Sequence, residues 1–408
     1  MKRDFFAGNR QRLREQCKPQ SVIVLSAFAQ MQGDNDQAAP FKQEANFWYL
    51  CGITEADWRL VIDVDTGDEW LIAPHRSFAR EMFDGGIATD EAATTSGVKH
   101  IVDKREGAAV LKRLLAKKNR AYTITPRSLR LFDIVPNPAY QRLVTQLKRN
   151  VEVVDARLMI ARMRAIKQPV EIAAMQTAID ITLDGLEAIL PQLKNMHHEY
   201  EVDALLTYEF RRRGVIHGFD PIIAAGKNTC VLHHPLPKDK FVMNDWLLLD
   251  IGAEFENYKA DVTRTIPLGN PSQRHLAVYA AVERMHAYAL NMLHDGVSTK
   301  EYMQKAYQYV GEEMKKLGLI DKVKLDYTSV FKFMPHAVSH GLGIDAHDPL
   351  GQPEKLLENM TLTVEVGVYI PSEGIGVRLE DDIRITKTGA INMSGRVPIE
   401  LEALRRML

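Results

Sequence analysis

The sequence predicts a mixed α/β (α+β) protein built as two domains, residues 1–158 and 159–408. Three observations predict it. Strand-like and helix-like segments alternate through roughly the first 150 residues. A strand pattern, VEVVD, then passes into a long helical one near Val154–Met163. The C-terminal part, from Val330 onward, reads as strand and loop, with single acidic or histidine residues set among apolar and small ones.

Asp4–Cys17 reads as an amphipathic helix, and Ser21–Phe28 as a buried strand running into the polar loop MQGDNDQAAPFKQ. NFWYLCGI, WRLVIDVD and EWLIAP follow as strands, because β-branched and aromatic residues crowd each of them, with Thr66-Gly67-Asp68 as a turn. Gly107–Lys118 reads as a helix and Ala121–Thr125 as a strand. Ile172, Met175, Ile179 and Ile181 recur close to a 3.6-residue period and predict a long helix. Tyr200–Arg213 predicts another, and GFDPIIAAGKNTCVLHHPLP strand and loop. Trp246–Pro267 reads as a hairpin with Gly252 and Glu254–Asn257 in its turn, and Arg274–Leu317 as one or two long helices. No Walker loop or GxGxxG fingerprint occurs in the N-terminal domain.

The charge balance, 52 basic against 53 acidic residues, leaves no overall field that favours nucleic acid or an anionic membrane. Cys17, Cys51 and Cys230 are odd in number and widely spaced, so they read as small buried hydrophobes, not a disulfide framework. The start lacks the apolar run of a signal peptide, and no apolar stretch reaches the ~18 residues of a membrane helix. The expectation is a cytoplasmic protein with no nucleic-acid or membrane partner.

Asp250 follows Leu247–Leu249, and Asp261 precedes Val262, Thr263 and Thr265. A lone carboxylate among such residues is costly unless a positive group meets it. His340 in HAVSHGLGIDAHD, Glu365 in LTVEVGVYIP and Glu380 in GIGVRLEDDIRIT are isolated in the same way. Any one of these acids reads equally well as a surface residue of an amphipathic strand. Together, one imidazole and four carboxylates suit a pair of divalent first-row ions, and the oxygen-rich donor set favours manganese over metals that prefer thiolate.

These strings resemble the creatinase/methionine aminopeptidase superfamily with its pita-bread fold, and within it the Xaa-Pro peptidases, aminopeptidase P and prolidase. The resemblance covers essentially the whole chain and is strongest from Ile222 to Thr386. FKQEANFWYLCGITEADWRLVIDVDTG resembles the creatinase-like N-terminal domain, and RAIKQPVEI the entry to the pita-bread catalytic domain. The resemblance implies Asp250, Asp261, His340, Glu365 and Glu380 as metal ligands, with Asp261 and Glu380 bridging, Asp250 completing one site, and His340 with Glu365 the other. It implies a metal-bridged hydroxide as nucleophile and Glu365 as general base. It also implies His347 as donor to the scissile carbonyl oxygen, His233 in a catalytic and substrate-binding role, and His336 and Arg378 around a proline pocket. His234 is left out, since on a strand it would point away from its neighbour. Thr263 reads as a strand residue whose hydroxyl could back a ligand. Gly341, Gly343, Gly367, Gly374 and Gly376 read equally as places of close backbone approach and as ordinary turns.

Two residues depart from the family pattern. Val366 stands after Glu365 where proline is usual, and Phe219 where aminopeptidase P has tyrosine. Neither removes a ligand. The implied function is that of an Xaa-Pro aminopeptidase, with Xaa-Pro dipeptidase (prolidase) as the alternative on the same site. The N-terminal domain and the lack of a long insertion between His340 and Glu365 favour the former. Creatinase itself and a non-enzymatic pita-bread binding module lack the full ligand set that is present here. The implied cofactor is two divalent ions, Mn2+ ahead of Zn2+ or Co2+. The implied partners are peptides with proline at the second position and further copies of the chain, as a homodimer or homotetramer.

Overall fold

A computed structural model describes residues 1–127, 134–235, 237–320 and 327–408. The chain forms two compact units, Met1–Met163 and Arg164–Leu408.

The first unit is organised on a mixed sheet. Its strands are β1 (Ser21–Ser26), β2 (Arg59–Asp63), β3 (Glu69–Ile72), β4 (His100–Val102), β5 (Arg120–Thr123) and β6 (Glu152–Asp155), in the order β4-β3-β2-β1-β5-β6. β1 is antiparallel to β2 and parallel to β5. Val22, Val24 and Val61 of the sheet share a core with Val110, Leu111, Leu114 and Leu115 of the helix Lys104–Leu115. Asp103 caps that helix by accepting the Glu106 N–H at 2.8 Å. The helix Arg3–Glu15 buries Phe5, Phe6 and Leu13.

NFWYLCGI, expected as a strand, is instead the helix Ala45–Cys51. The Glu44 carboxylate accepts the Phe47 N–H at 2.5 Å at its start, and Gly52 closes it in the left-handed region at φ 74. All of its side chains are buried, so aromatic content made it look like a strand while no polar face betrayed the helical period.

The second unit carries β7 (Ile216–His217), β8 (Ile222–Ala225), β9 (Asp245–Ile251), β10 (Ala253–Phe255), β11 (Tyr258–Lys259), β12 (Val262–Leu268), β13 (Thr361–Ile370), β14 (Ile375–Thr386) and β15 (Gly389–Asn392). The larger sheet runs β13-β14-β12-β9-β8, with β15 on β14. The smaller one runs β11-β10-β7. The expected hairpin is β9 and β12, and its turn carries β10 and β11 around Glu256 and Asn257, both in the left-handed region.

Period-two alternation divides the larger sheet by chemistry. Val364, Val366 and Val368 of β13 and Val377 and Leu379 of β14 share a core with Val278, Tyr279, Val282 and Met285 of the helix Gln273–Asn291. The residues between them, Glu365 and Tyr369 on β13 and Arg378, Glu380 and Asp382 on β14, take the other face. Val366 thus packs into the core and leaves Glu365 in register with Glu380. Further helices run Pro169–Ile189, Glu199–Arg211 and Thr299–Lys316. Among the described residues no helix is long and apolar enough to cross a membrane.

Candidate metal centre

Strand register builds the site. Thr263 on β12 pairs with Asp250 on β9 and with Glu380 on β14, and Glu380 pairs with Glu365 on β13. Directly paired residues project to the same face, so these side chains form a row across adjacent strands. Asp261 stands two residues before Thr263 and Arg378 two before Glu380, which keeps both on that face. His340 enters from a loop whose backbone is tied to β13, with Thr363 N–H donating to His340 O at 2.9 Å and Glu365 N–H to Val338 O at 2.8 Å. Its Nε2 lies 3.7 Å from Asp261 Oδ2, 3.8 Å from Glu365 Oε2 and 3.5 Å from Glu380 Oε1.

The electrostatics of this row call for added positive charge. Burial first, then Glu380 and Asp250, raises the Asp261 carboxyl well above the usual carboxylate range. Burial and Glu365 push Glu380 up to about 7. Burial opposes a charged His340, yet Glu380 and Glu365 outweigh it and push the ring up to about 9. Without a metal, protons supply the missing charge. Among the described residues, the buried Asp250 Oδ1 and Glu380 Oε1 have no hydrogen-bond partner. Acceptors left in that state are costly unless a cation meets them. Asp261, His340 and Glu380 each offer an atom within 4.8 Å of the others. Ligands bound at ~2.1 Å to one ion stand roughly 3–4 Å apart, which the separations from His340 match. The donor set therefore fits divalent ions.

The remaining candidates surround the row. The His347 ring stacks on His340, with centroids 3.9 Å apart and planes 4° from parallel. Burial, then the neighbouring His340, pushes His347 down to about 4. His336 Nδ1 lies 3.5 Å from Glu365 Oε1, and its Nε2 shares a hydrogen bond of 2.9 Å with the Tyr369 hydroxyl. Arg378 is buried; its Nη2 donates to Asp250 Oδ2 at 2.7 Å and its Nη1 to the Tyr369 hydroxyl at 3.0 Å. His233 is exposed in the loop after the short helical turn Gly226–Cys230, close enough for its charge to act on His347. His234 is held elsewhere, 3.1 Å from Glu199 Oε2. Thr263 Oγ1 donates to Glu380 Oε2 at 2.8 Å. Phe219 packs beside Gly252.

Sequence reasoning missed Tyr369, which joins His336 to Arg378. Counting in twos from Glu365 along β13 reaches it. It also missed Asp382, whose Oδ2 accepts the Asp261 N–H at 3.1 Å.

Comparison with known proteins identifies the family. Residues 173–387 match metallopeptidase family M24, and residues 6–124 match the aminopeptidase P N-terminal domain. The chain is 30% identical to an Xaa-Pro aminopeptidase of Escherichia coli (strain K12) over 98% of its own length and 97% of the relative's. It is 29% identical to Xaa-Pro aminopeptidase 3 of Homo sapiens, covering 95% of this chain and 80% of that one. The structure of aminopeptidase P from Escherichia coli with the inhibitor Pro-Leu superposes with a TM-score of 0.85 at 27% identity, over 100% of this chain and 98% of that one. The chain belongs to metallopeptidase family M24.

Proposed function

We propose that this metallo-exopeptidase is an Xaa-Pro aminopeptidase, which removes the residue ahead of a proline at the second position of a peptide. One observation carries the reading: Asp250, Thr263, Glu380 and Glu365 stand in register across adjacent strands, with His340 above them. Asp250, Asp261, His340, Glu365 and Glu380 would hold two divalent ions. When bound, those ions polarise the scissile carbonyl and lower the pKa of water.

The chain's own groups do the rest. Burial alone would raise Glu365, but His336, His340 and Arg378 hold it below the usual carboxylate range, so it is ionised and free to accept a proton from water. It passes that proton to the leaving proline nitrogen, which carries no hydrogen of its own. His347 is uncharged above about pH 4 and offers a ring N–H to the carbonyl oxygen; one such donor is worth about 3 kcal/mol. The family resemblance supports His336 and His233 as the residues that would hold the proline ring, and the contact of His336 with Glu365 keeps it beside the row. The contacts of Arg378 support a role in holding Asp250 and Tyr369 more directly than one in lining a pocket.

Oxygen-rich ligation supports Mn2+ as the working metal. Three free thiols support a reducing, cytoplasmic setting. We take the assembly to be a homodimer or homotetramer, as the family resemblance implies, and the domains to be 1–158 and 159–408, which the compact units at Met163/Arg164 support. Assaying Xaa-Pro and Xaa-Pro-Yaa peptides with added Mn2+ tests the function. Turnover of the longer peptide is expected; cleavage of the dipeptide alone would make the chain a prolidase, and cleavage of neither would end the proposal.

A further inference from the structure

A buried ion cluster lies next in the chain to His347. The Asp348 carboxylate is 1% exposed; its Oδ1 accepts from Arg164 Nη2 and its Oδ2 from Lys167 Nζ at 3.2 Å. Arg164 Nη2 also donates to Asp345 Oδ2 at 2.8 Å, and the Asp345 N–H donates back to Asp348 Oδ1 at 3.2 Å. The loop is closed on itself as well, with Asp348 N–H donating to Gly341 O at 2.8 Å. That closure leaves no room for side chains. A Cβ on Gly343 would stand 2.8 Å from the Asp348 carboxyl carbon, and one on Gly341 2.2 Å from the Asp348 carbonyl oxygen. The cationic side is anchored in turn. Lys167 Nζ donates to Arg164 O at 2.7 Å, Lys167 N–H to Asn359 O at 2.9 Å, and Ile166 bridges to Met360.

We propose that Arg164, Lys167 and Asp348 position His347: the cluster fixes the 340–348 loop in the arrangement that stacks His347 on His340. Buried ion pairs seldom stabilise more than a well-packed apolar cluster of the same size would. What they impose is direction, because two carboxylates meet one planar guanidinium only in a narrow set of geometries. Fixing Asp348 fixes the backbone of the residue before it. The His347 ring is then held parallel to the His340 ring. The inference rests on the reading of His347 as donor to the scissile carbonyl oxygen.

Steady-state kinetics of the metal-loaded full chain on an Xaa-Pro-Yaa peptide test it. Arg164→Lys keeps the buried charge but cannot grip two carboxylates in one plane. It lowers kcat by about ten- to a hundredfold, while KM changes less than about threefold, because orientation and not binding is lost. Asp345→Asn, at a half-exposed position where the fold is not at risk, lowers kcat in the same direction by a smaller factor. In the His347→Ala background each change lowers kcat by less than about twofold, since the group they orient is gone. Full multiplicative losses on top of His347→Ala overturn the proposal, and so does an unchanged kcat in Arg164→Lys. Should Arg164→Lys not fold, Asp345→Asn carries both comparisons. If His347→Ala alone keeps wild-type kcat, the reading of His347 fails instead.

Discussion

Glu380 is ionisable, 1% exposed, and hydrogen-bonded at one oxygen only, by Thr263. Its folded-state pKa is raised from the ordinary 4.5 to about 7. A raised pKa means that the group's stabilising contribution is fully present below pH 4.5 and is lost as pH rises through 7. Glu380→Gln keeps the shape and an acceptor for Thr263 while removing the charge. In EDTA the variant should therefore melt higher than wild type at pH 8, and the gap should close as pH falls toward 4.5. With saturating Mn2+ the order should reverse, because the carboxylate is then the better ligand. Melting curves across pH, with and without metal, check both signs; a gap that ignores pH would remove Glu380 from the electrostatic conflict. The five proposed ligands were legible because each interrupts an apolar run. Tyr369 and Asp382 were not, because the partners that give them meaning, Arg378 and Asp261, arrive from other strands.

Elements with a visible period were legible in the same sense. Strands β13 and β14 alternate with period two, and the helix Lys104–Leu115 shows one apolar face. The helix Ala45–Cys51 shows neither, since it is buried all round; only its ends mark it. Its stability should accordingly depend on its cap. Glu44 is itself buried and accepts from both Phe47 N–H and Asn46 Nδ2, the latter at 2.7 Å. Glu44→Ala strands both donors and should cost about 1–3 kcal/mol, read as a lower urea midpoint at unchanged slope. Glu44→Gln, which keeps an acceptor, should lose much less. Equal losses in the two variants would show that the charge, and not the cap, is what the helix needs.

At the scale of the molecule, near-neutral net charge conceals a strong local imbalance. The formal charge of the chain is −1, yet Asp250, Asp261, Glu365, Glu380 and Asp382 gather at one face of one sheet, with Arg378 and His340 beside them. A fold that keeps such a row buried is strained without metal and relieved by it, so metal binding and stability are one equilibrium. A ligand at a hundred times its Kd adds about 2.7 kcal/mol to the state that binds it. Calorimetry should therefore show a melting midpoint that falls on chelation and climbs with Mn2+ concentration beyond the point of saturation. Asp261→Ala should abolish that climb together with turnover while leaving the far-ultraviolet circular dichroism unchanged, because Asp261 lies just before β12 (Val262–Leu268) and a shorter side chain there leaves the strand's register with β9 intact. Its metal-free midpoint should equal or exceed that of the metal-free wild type, since one of the mutually repelling carboxylates is gone. A variant that melted far below the chelated wild type would mean that Asp261 holds the fold by itself, and that metal is not what the row was built to receive.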